Sequence, residues 1–326
     1  MYNNIKLAII GSGKWGFNHL KTSHKLLGDN LKMVIDINES NFDKAKQLSD
    51  KILLSKDIDL VLSSDEINSV IIATSAETHY EIAKKCLMHN KHILVEKPIT
   101  LISREANDLV VSAQKNKLIL MVGHVLLYHP AILELKKNII EGKIGKLQYI
   151  YSNRLNLGTI RSEENILWSF APHDISLIQF FTDSHPVKVF AKGAAFIQPE
   201  IEDTTITYLE YPNNVRAHIF VSWLHPFKEH RLVVIGDKAM IVFDDTAKTD
   251  KLKFYKKGYN CINGEIEKFD SDFISLEYDE KQPLEEEQKH FFDCVVNKKV
   301  PRTDGIHATS VLKILELAEQ NIKSNN

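Results

Sequence analysis

Along the first third of the chain, short apolar runs alternate with amphipathic segments. Residues 5–10 (Ile-Lys-Leu-Ala-Ile-Ile), 31–35, 69–73, 92–95 and 118–122 are strand-length runs rich in Ile, Val and Leu, the pattern of strands covered on both faces. Between them, residues 15–27, 41–48, 79–89 and 103–116 read as helices, with Ser103 as N-cap of the last. Strands alternating with helices of this length predict an α/β domain with a doubly wound parallel sheet and right-handed crossovers.

Beyond Gly123 the rhythm changes. Residues 130–141 read as a helix ended by Gly142, and strand candidates follow at 147–153, 187–194, 204–210, 215–222, 231–235 and 239–243. Many of these alternate apolar with polar, as antiparallel strands with one covered face do. A helix over 173–181 interrupts them, and helices near 284–297 and 306–321 close the chain. The expectation is two domains, residues 1–122 and residues 123–326, the second of α+β type with a large, open, mostly antiparallel sheet. A length of 326 residues suits two cores better than one.

Composition narrows the function classes. Apolar residues make up 44% of the chain and the formal net charge is −2, with both signs spread along it. Neither nucleic acid nor an anionic membrane is called for. The three cysteines, Cys86, Cys261 and Cys294, are far apart, with neither a disulfide framework nor a zinc spacing. No apolar run reaches membrane-spanning length and no cleavable leader pattern precedes the first strand, so a cytoplasmic protein is expected.

The first strand runs into Gly11-Ser12-Gly13-Lys14-Trp15-Gly16, which fits G-x-G-x-x-G. In that pattern the first glycine makes the tight turn and the second admits a pyrophosphate close to the backbone. The third lets the following helix pack against the strand, and the helix N-terminus faces the phosphates. Asp36 ends the second strand, twenty residues past Gly16. An acid there binds ribose hydroxyls and repels a 2′-phosphate, which favours NAD over NADP.

The run at 92–95 ends in Glu96-Lys97-Pro98. Proline cannot continue a central strand, so Lys97 sits on a stiffened turn at a strand's carboxyl end, where open α/β sheets bind ligands. A lysine in that position is either a surface residue beside a turn or a reactive group aimed into a cleft. Beside an oxidised nicotinamide, like charge and partial burial would disfavour its ammonium form and leave an amine able to exchange a proton with a substrate hydroxyl.

Together, the Gly11/Gly13/Gly16 turn, Asp36, the Ala73-Thr74 turn with His79, and Glu96-Lys97-Pro98 resemble the Gfo/Idh/MocA oxidoreductase family over the whole chain. The resemblance implies a Rossmann domain followed by an α+β domain, with NAD as cofactor. It also implies a catalytic Lys97 at the nicotinamide and a proline that is commonly cis. Cofactor contacts are then expected from Gly11, Ser12, Gly13, Lys14, Trp15, Gly16, Asp36, Thr74, Ser75, His79, Glu96, Lys97 and His124. Many members carry Asp-x-Gly-x-His near the second candidate acid/base, His173. Here His173 matches the histidine, while Ser169 replaces the aspartate and Ala171 the glycine. Lys97 is therefore expected to work mainly with His173. Histidines 124, 129 and 173 lack the carboxylate or cysteine spacing of a metal site, and no metal is expected.

The stretch Asn153-Arg154-Leu155-Asn156-Leu157-Gly158-Thr159-Ile160-Arg161, with Trp168 to Asp174, resembles a subgroup acting on nucleotide-linked sugars of surface-polysaccharide pathways. Arginine forks suit a pyrophosphate and asparagines suit sugar hydroxyls. Substrate contacts are accordingly expected from Lys97, Tyr128, Arg154, Asn156, Arg161, Trp168 and His173, while Trp223 and Arg231 could face the sugar nucleotide or serve the sheet. The implied reaction is NAD-dependent oxidation of the 3-hydroxyl of UDP-N-acetylglucosamine or a close relative. Alternatives are a ketoreductase finishing a nucleotide deoxysugar, a free-sugar or cyclitol dehydrogenase, and a non-catalytic NAD sensor. A homodimer or homotetramer through the C-terminal sheet is implied as well.

Overall fold

The computed structural model describes residues 2–324. They form two compact units, one holding the chain up to Tyr128 together with Lys281–Leu312, the other holding His129–Glu280 and the residues from Lys313 onward.

The first unit opens with β1 (Leu7–Ile10), α1 (Lys14–Leu27), β2 (Leu31–Ile35), α2 (Phe42–Lys46), β3 (Leu53–Ser55), α3 (Asp59–Leu62), β4 (Ser69–Ile72), α4 (Ala76–Met88), β5 (His92–Glu96), α5 (Ser103–Lys115) and β6 (Leu120–Gly123). Its six strands are all parallel, in the order β3-β2-β1-β4-β5-β6. Every residue of β1, β4 and β6 is buried, as helices on both faces require. This is the predicted doubly wound sheet. Consecutive strands lie on opposite sides of the β1–β4 junction, so the carboxyl ends of β1 and β4 form the switch point where such sheets bind nucleotides. Strand β3 and helix α3 were not anticipated. Three half-exposed or exposed residues at a sheet edge leave too short an apolar run to read.

The second unit comprises α6 (Pro130–Ile140), β7 (Leu147–Leu155), α7 (Ile166–Thr182), β8 (Lys188–Ala194), β9 (Thr204–Glu210), β10 (Arg216–Ser222), β11 (Glu229–Gly236), β12 (Met240–Asp244), β13 (Leu252–Tyr255), β14 (Gly258–Ile262), β15 (Glu265–Phe269) and β16 (Phe273–Ser275). An eight-stranded sheet runs β16-β13-β12-β11-β7-β10-β9-β8, antiparallel except where β7 meets β10, and β14 with β15 form a separate hairpin. Alternation settles which face is covered. In β9, Thr205, Thr207 and Leu209 are buried, whereas Ile206 and Tyr208 are exposed. Helix α7 packs on β7, β9 and β10. The opposite face carries Phe190, Tyr208, His218, Tyr151 and Val233 in register across five strands, and the Tyr151 and His218 rings stack.

Helix α7 starts seven residues before the expected position at 173. Pro172 reads as a helix start because proline is favoured in the first turn and removes a bond from an interior. Here Asn165 caps the helix by accepting from the Trp168 N–H (3.2 Å), and the buried Ile166, Leu167, Ala171 and Ile175 offset the bond missing at Pro172.

Helices α8 (Pro283–Asn297) and α9 (Gly305–Ser324) close the chain. The expected boundary near 122 therefore differs from the structure, because α8 and the start of α9 return to the first unit. Its side chains explain this. Phe291, Phe292 and Cys294 are fully buried, and Gln288 accepts from Ser23 of α1 (2.9 Å). Among the described residues, no helix is long and apolar enough to cross a membrane.

Trp223, 1% exposed, donates its indole N–H to Asp203 (2.6 Å) at the end of β10. Trp223→Phe removes that donor, while Asp203 keeps the backbone N–H groups of Phe196 and Ile197. We expect a loss of about 1–2 kcal/mol, read as a lower urea midpoint at unchanged m-value. An unaltered midpoint would remove this bond from the account of the second unit.

Candidate active site

The glycine turn is closed by steric contact. A Cβ on Gly11, whose φ is +89°, would lie 2.6 Å from the Ala73 carbonyl oxygen, and one on Gly16 would lie 2.1 Å from the Gly11 carbonyl oxygen. At Gly13 a Cβ would meet nothing within 4 Å among the described residues, which leaves its backbone open to a ligand. Beside this turn lies a cavity of about 490 Å³ whose walls include Gly11, Gly13, Asp36, Asn41, Thr74 and Ser75. Lys14 and Trp15 follow as exposed residues at the N-terminus of α1.

Asp36 ends β2 against this turn. One carboxylate oxygen accepts from the Ser12 N–H (2.7 Å), the Ser12 hydroxyl (2.8 Å) and the Asn41 amide (3.0 Å), the other from the Asn38 N–H (2.8 Å). Burial pushes its carboxyl up, but these donors outweigh burial and hold it below the ordinary carboxylate range. Asp36 therefore presents a fixed anion to the cavity. Gly11, Ser12, Gly13, Gly16, Asp36, Thr74 and Ser75 are thus brought together as expected for a dinucleotide, and the open Gly13 backbone and Asp36 fit the pyrophosphate and ribose.

Lys97 stands half-buried just past β5, and the Lys97–Pro98 peptide is cis. The preceding Glu96 is turned inward. Its carboxylate accepts from the Trp15 indole N–H, from His19 Nε2 (2.7 Å) and from the Lys97 backbone N–H (3.1 Å). Burial opposes its ionisation, yet these donors hold it below its ordinary value. Glu96, expected at the cofactor, instead ties the Lys97 turn to α1. Trp15 keeps an exposed ring but gives its N–H to the same anion.

Two further expectations change. His79 is buried, with Nδ1 donating to the Pro98 carbonyl (2.7 Å) and Nε2 lying 3.2 Å from the Thr74 carbonyl, so it joins two strand-end turns and leaves no ring nitrogen for a cofactor. Burial holds it below its ordinary value. Tyr128 is 1% exposed, with its hydroxyl against Thr303 Oγ1 (2.9 Å) and its ring under Arg302, which is a core position rather than a substrate contact. His124, following β6, is buried edge-on to His307. Burial, then the charges of His307 and Lys97, hold it well below its ordinary value.

In the second unit, Arg154 does not offer a fork to a pyrophosphate. Its guanidinium makes a two-point bond to the buried Asp174 (2.8 and 3.0 Å), which also accepts from Ser152 (2.6 Å). The bridge joins β7 to α7, one residue from His173, and the periodicity of the sequence alone could not pair residues 20 apart. His230 lies 3.4 Å from the same guanidinium, and burial with that charge pushes it down to about 4. Arg161 is exposed and paired with Glu164 (2.7 Å), and Asn156 and Trp168 are half-buried. Trp223 is a core residue, whereas Arg231 is partly exposed beside Glu229 and Asp244. His19 was missed, although its place four residues after Trp15 puts both on one face of α1.

The fold and the cavity define a dinucleotide-binding oxidoreductase. Comparison with known proteins gives the family. The family model described as the oxidoreductase family, NAD-binding Rossmann fold, matches residues 5–124, and that of the Gfo/Idh/MocA C-terminal domain matches residues 132–242. The chain belongs to the Gfo/Idh/MocA oxidoreductase family, and its cofactor is NAD. It is similar to a UDP-N-acetylglucosamine 3-dehydrogenase of Acidithiobacillus ferrooxidans, 24% identical over 92% of this chain and 93% of that one. It is also similar to a scyllo-inositol 2-dehydrogenase (NAD(+)) of Bacillus subtilis, 26% identical over 96% and 93%. The solved structure of the Acidithiobacillus ferrooxidans enzyme superimposes with a TM-score of 0.82 at 23% identity, covering 98% of this chain and 97% of that one, a likeness of fold.

Asp36→Ser keeps the turn but removes the anion that faces the ribose. We expect NAD affinity to fall about tenfold or more while NADP affinity holds or rises, as measured by quenching of protein fluorescence on titration. An unchanged NAD/NADP ratio would remove Asp36 from the cofactor site.

Proposed function

We propose that the protein oxidises the 3-hydroxyl of a nucleotide-activated hexose, UDP-N-acetylglucosamine or a close relative, to a 3-keto sugar nucleotide for surface-polysaccharide or lipopolysaccharide biosynthesis in the cytoplasm. The observation that carries this reading is Lys97, placed at the carboxyl end of β5 in the same parallel sheet whose β1 and β2 ends hold the NAD turn. The similarity along nearly the whole chain to a UDP-N-acetylglucosamine 3-dehydrogenase supports the substrate. NAD, which the glycine turn at residues 11–16 and Asp36 would hold, would supply the hydride acceptor. Lys97 takes or holds the hydroxyl proton, and His173 on α7 is assigned as its helper from the sequence resemblance. Asn156 and the exposed Arg161 remain the candidates for sugar and phosphate contacts.

A second reading is an inositol or free-sugar dehydrogenase. It is favoured by the 26% identity to the scyllo-inositol enzyme and by Asp174, which occupies the Arg154 guanidinium. Mixing the protein with NAD and a panel of UDP-sugars, scyllo-inositol and myo-inositol, and following the absorbance of reduced nicotinamide, separates the two. Turnover of an inositol without turnover of any UDP-sugar would overturn the nucleotide-sugar reading. With the active substrate, Lys97→Ala should lower kcat by about 10²–10⁴-fold and leave NAD affinity within a few-fold. Full activity in that variant would sink the assignment of Lys97.

We also propose a homodimer or homotetramer through the open face of the large sheet, where Phe190, Ile206 and Tyr208 leave apolar area exposed across neighbouring strands. Tyr208→Arg places a charge in that face and should lower the mass measured by light scattering, whereas an unchanged mass would exclude this face as the interface.

A further inference from the structure

Glu287 of α8 has no part in the chemistry described above. It is fully buried, and neither of its carboxyl oxygens has a hydrogen-bond partner among the described residues. Its carboxyl, the Glu96 carboxylate and the His19 ring offer atoms that all lie within 4.8 Å of one another. A metal ion is one reading of such a trio, but the tautomer of His19 argues against it. Ser23 Oγ donates to Gln288 Oε1 (2.9 Å), which fixes the amide so that its NH₂ donates to His19 Nδ1 (3.1 Å) and to the His19 carbonyl (3.1 Å). The ring proton is therefore on Nε2 and points at Glu96 (2.7 Å), so no lone pair remains there for a cation.

Glu96 has three donors and is the ionised member. Glu287 has none, and a second bare carboxylate against the first would be a buried, unpaired like charge. The groups facing Glu287 from the elements around it are His19 of α1, Glu96 of β5 and the phenol of Tyr128, whose ionisation Glu287 opposes. At β6, Gly123 adds no side chain, and a Cβ there would lie 2.9 Å from Glu96 Oε1. Burial, then the Glu96 charge, pushes the Glu287 carboxyl well above its ordinary range.

We propose that Glu287 is a positioning residue for Lys97: held as a neutral acid, it gives the Glu96–Glu287 pair a single negative charge and braces Glu96 in the orientation that binds the Lys97 backbone N–H. No bond is made or broken, and the proton stays on Glu287. Because the carboxyl binds its proton more tightly folded than unfolded, its contribution is fully present below the ordinary glutamate range. That contribution is lost as pH rises through its folded value.

The inference rests on Lys97 being the reactive group, but its test does not need a substrate. In the NAD-bound protein, Glu287→Leu should speed hydrogen exchange at the Lys97 amide at least tenfold and leave Leu94 and Ile71 in the sheet unchanged, while Glu287→Gln should keep the Lys97 amide protected. The infrared band of a protonated carboxylic acid at neutral pH should vanish in Glu287→Gln, and that variant should also lose the wild type's fall in melting temperature at alkaline pH. An unmoved Lys97 amide in Glu287→Leu would overturn the proposal. If Glu287→Leu fails to fold, an infrared band that persists in Glu287→Gln overturns it. If no sugar or cyclitol is turned over, the functional reading fails while these measurements still decide the role of Glu287.

Discussion

The Glu96 carboxylate is the constraint on which the placement of the Lys97 turn against α1 depends. A buried anion is tolerated only where donors converge on it, and here they come from two side chains of α1 and from the backbone of Lys97. Helix α1, which follows the glycine turn, and the turn that carries Lys97 are therefore held by one charge. His79 adds a second tie by joining the turn after Pro98 to the turn after β4.

Around that charge, sterics set the shape of the cofactor cavity. Gly11 and Gly16 are required because a Cβ at either would run into backbone, whereas Gly13 faces open space. Parallel strands bring these turns, Asp36 and Lys97 to the same edge of the sheet. Groups far apart in sequence so come to one edge of the sheet.

The second unit follows the same logic with another buried charge. Asp174 is satisfied by Arg154 and Ser152 of β7, which ties the helix carrying His173 to the centre of the eight-stranded sheet. A basic residue that looks like a phosphate ligand in the sequence is thus a bridge within the fold, and the place of the family's usual aspartate is held by Ser169, buried within α7.

Local pattern was enough for several features. The bounds of β2 and β9 follow directly from apolar runs and strict alternation, and the glycine turn, Asp36 and the Glu96-Lys97-Pro98 turn are legible because their spacing encodes backbone geometry. The short strands β3, β13 and β16 are not legible, since edge and half-exposed strands need no apolar run. The start of α7 was misread because tertiary burial outweighs the local signal of Pro172. Side-chain roles were the least accessible: Tyr128, His79, Glu96 and Arg154 are all polar residues beside the expected site, and the sequence alone places them at a ligand. Only the folded chain decides that their partners are Thr303, Pro98, His19 and Asp174, because a buried polar group goes to whichever complementary group the fold brings within bonding distance, and sequence spacing carries no record of that distance.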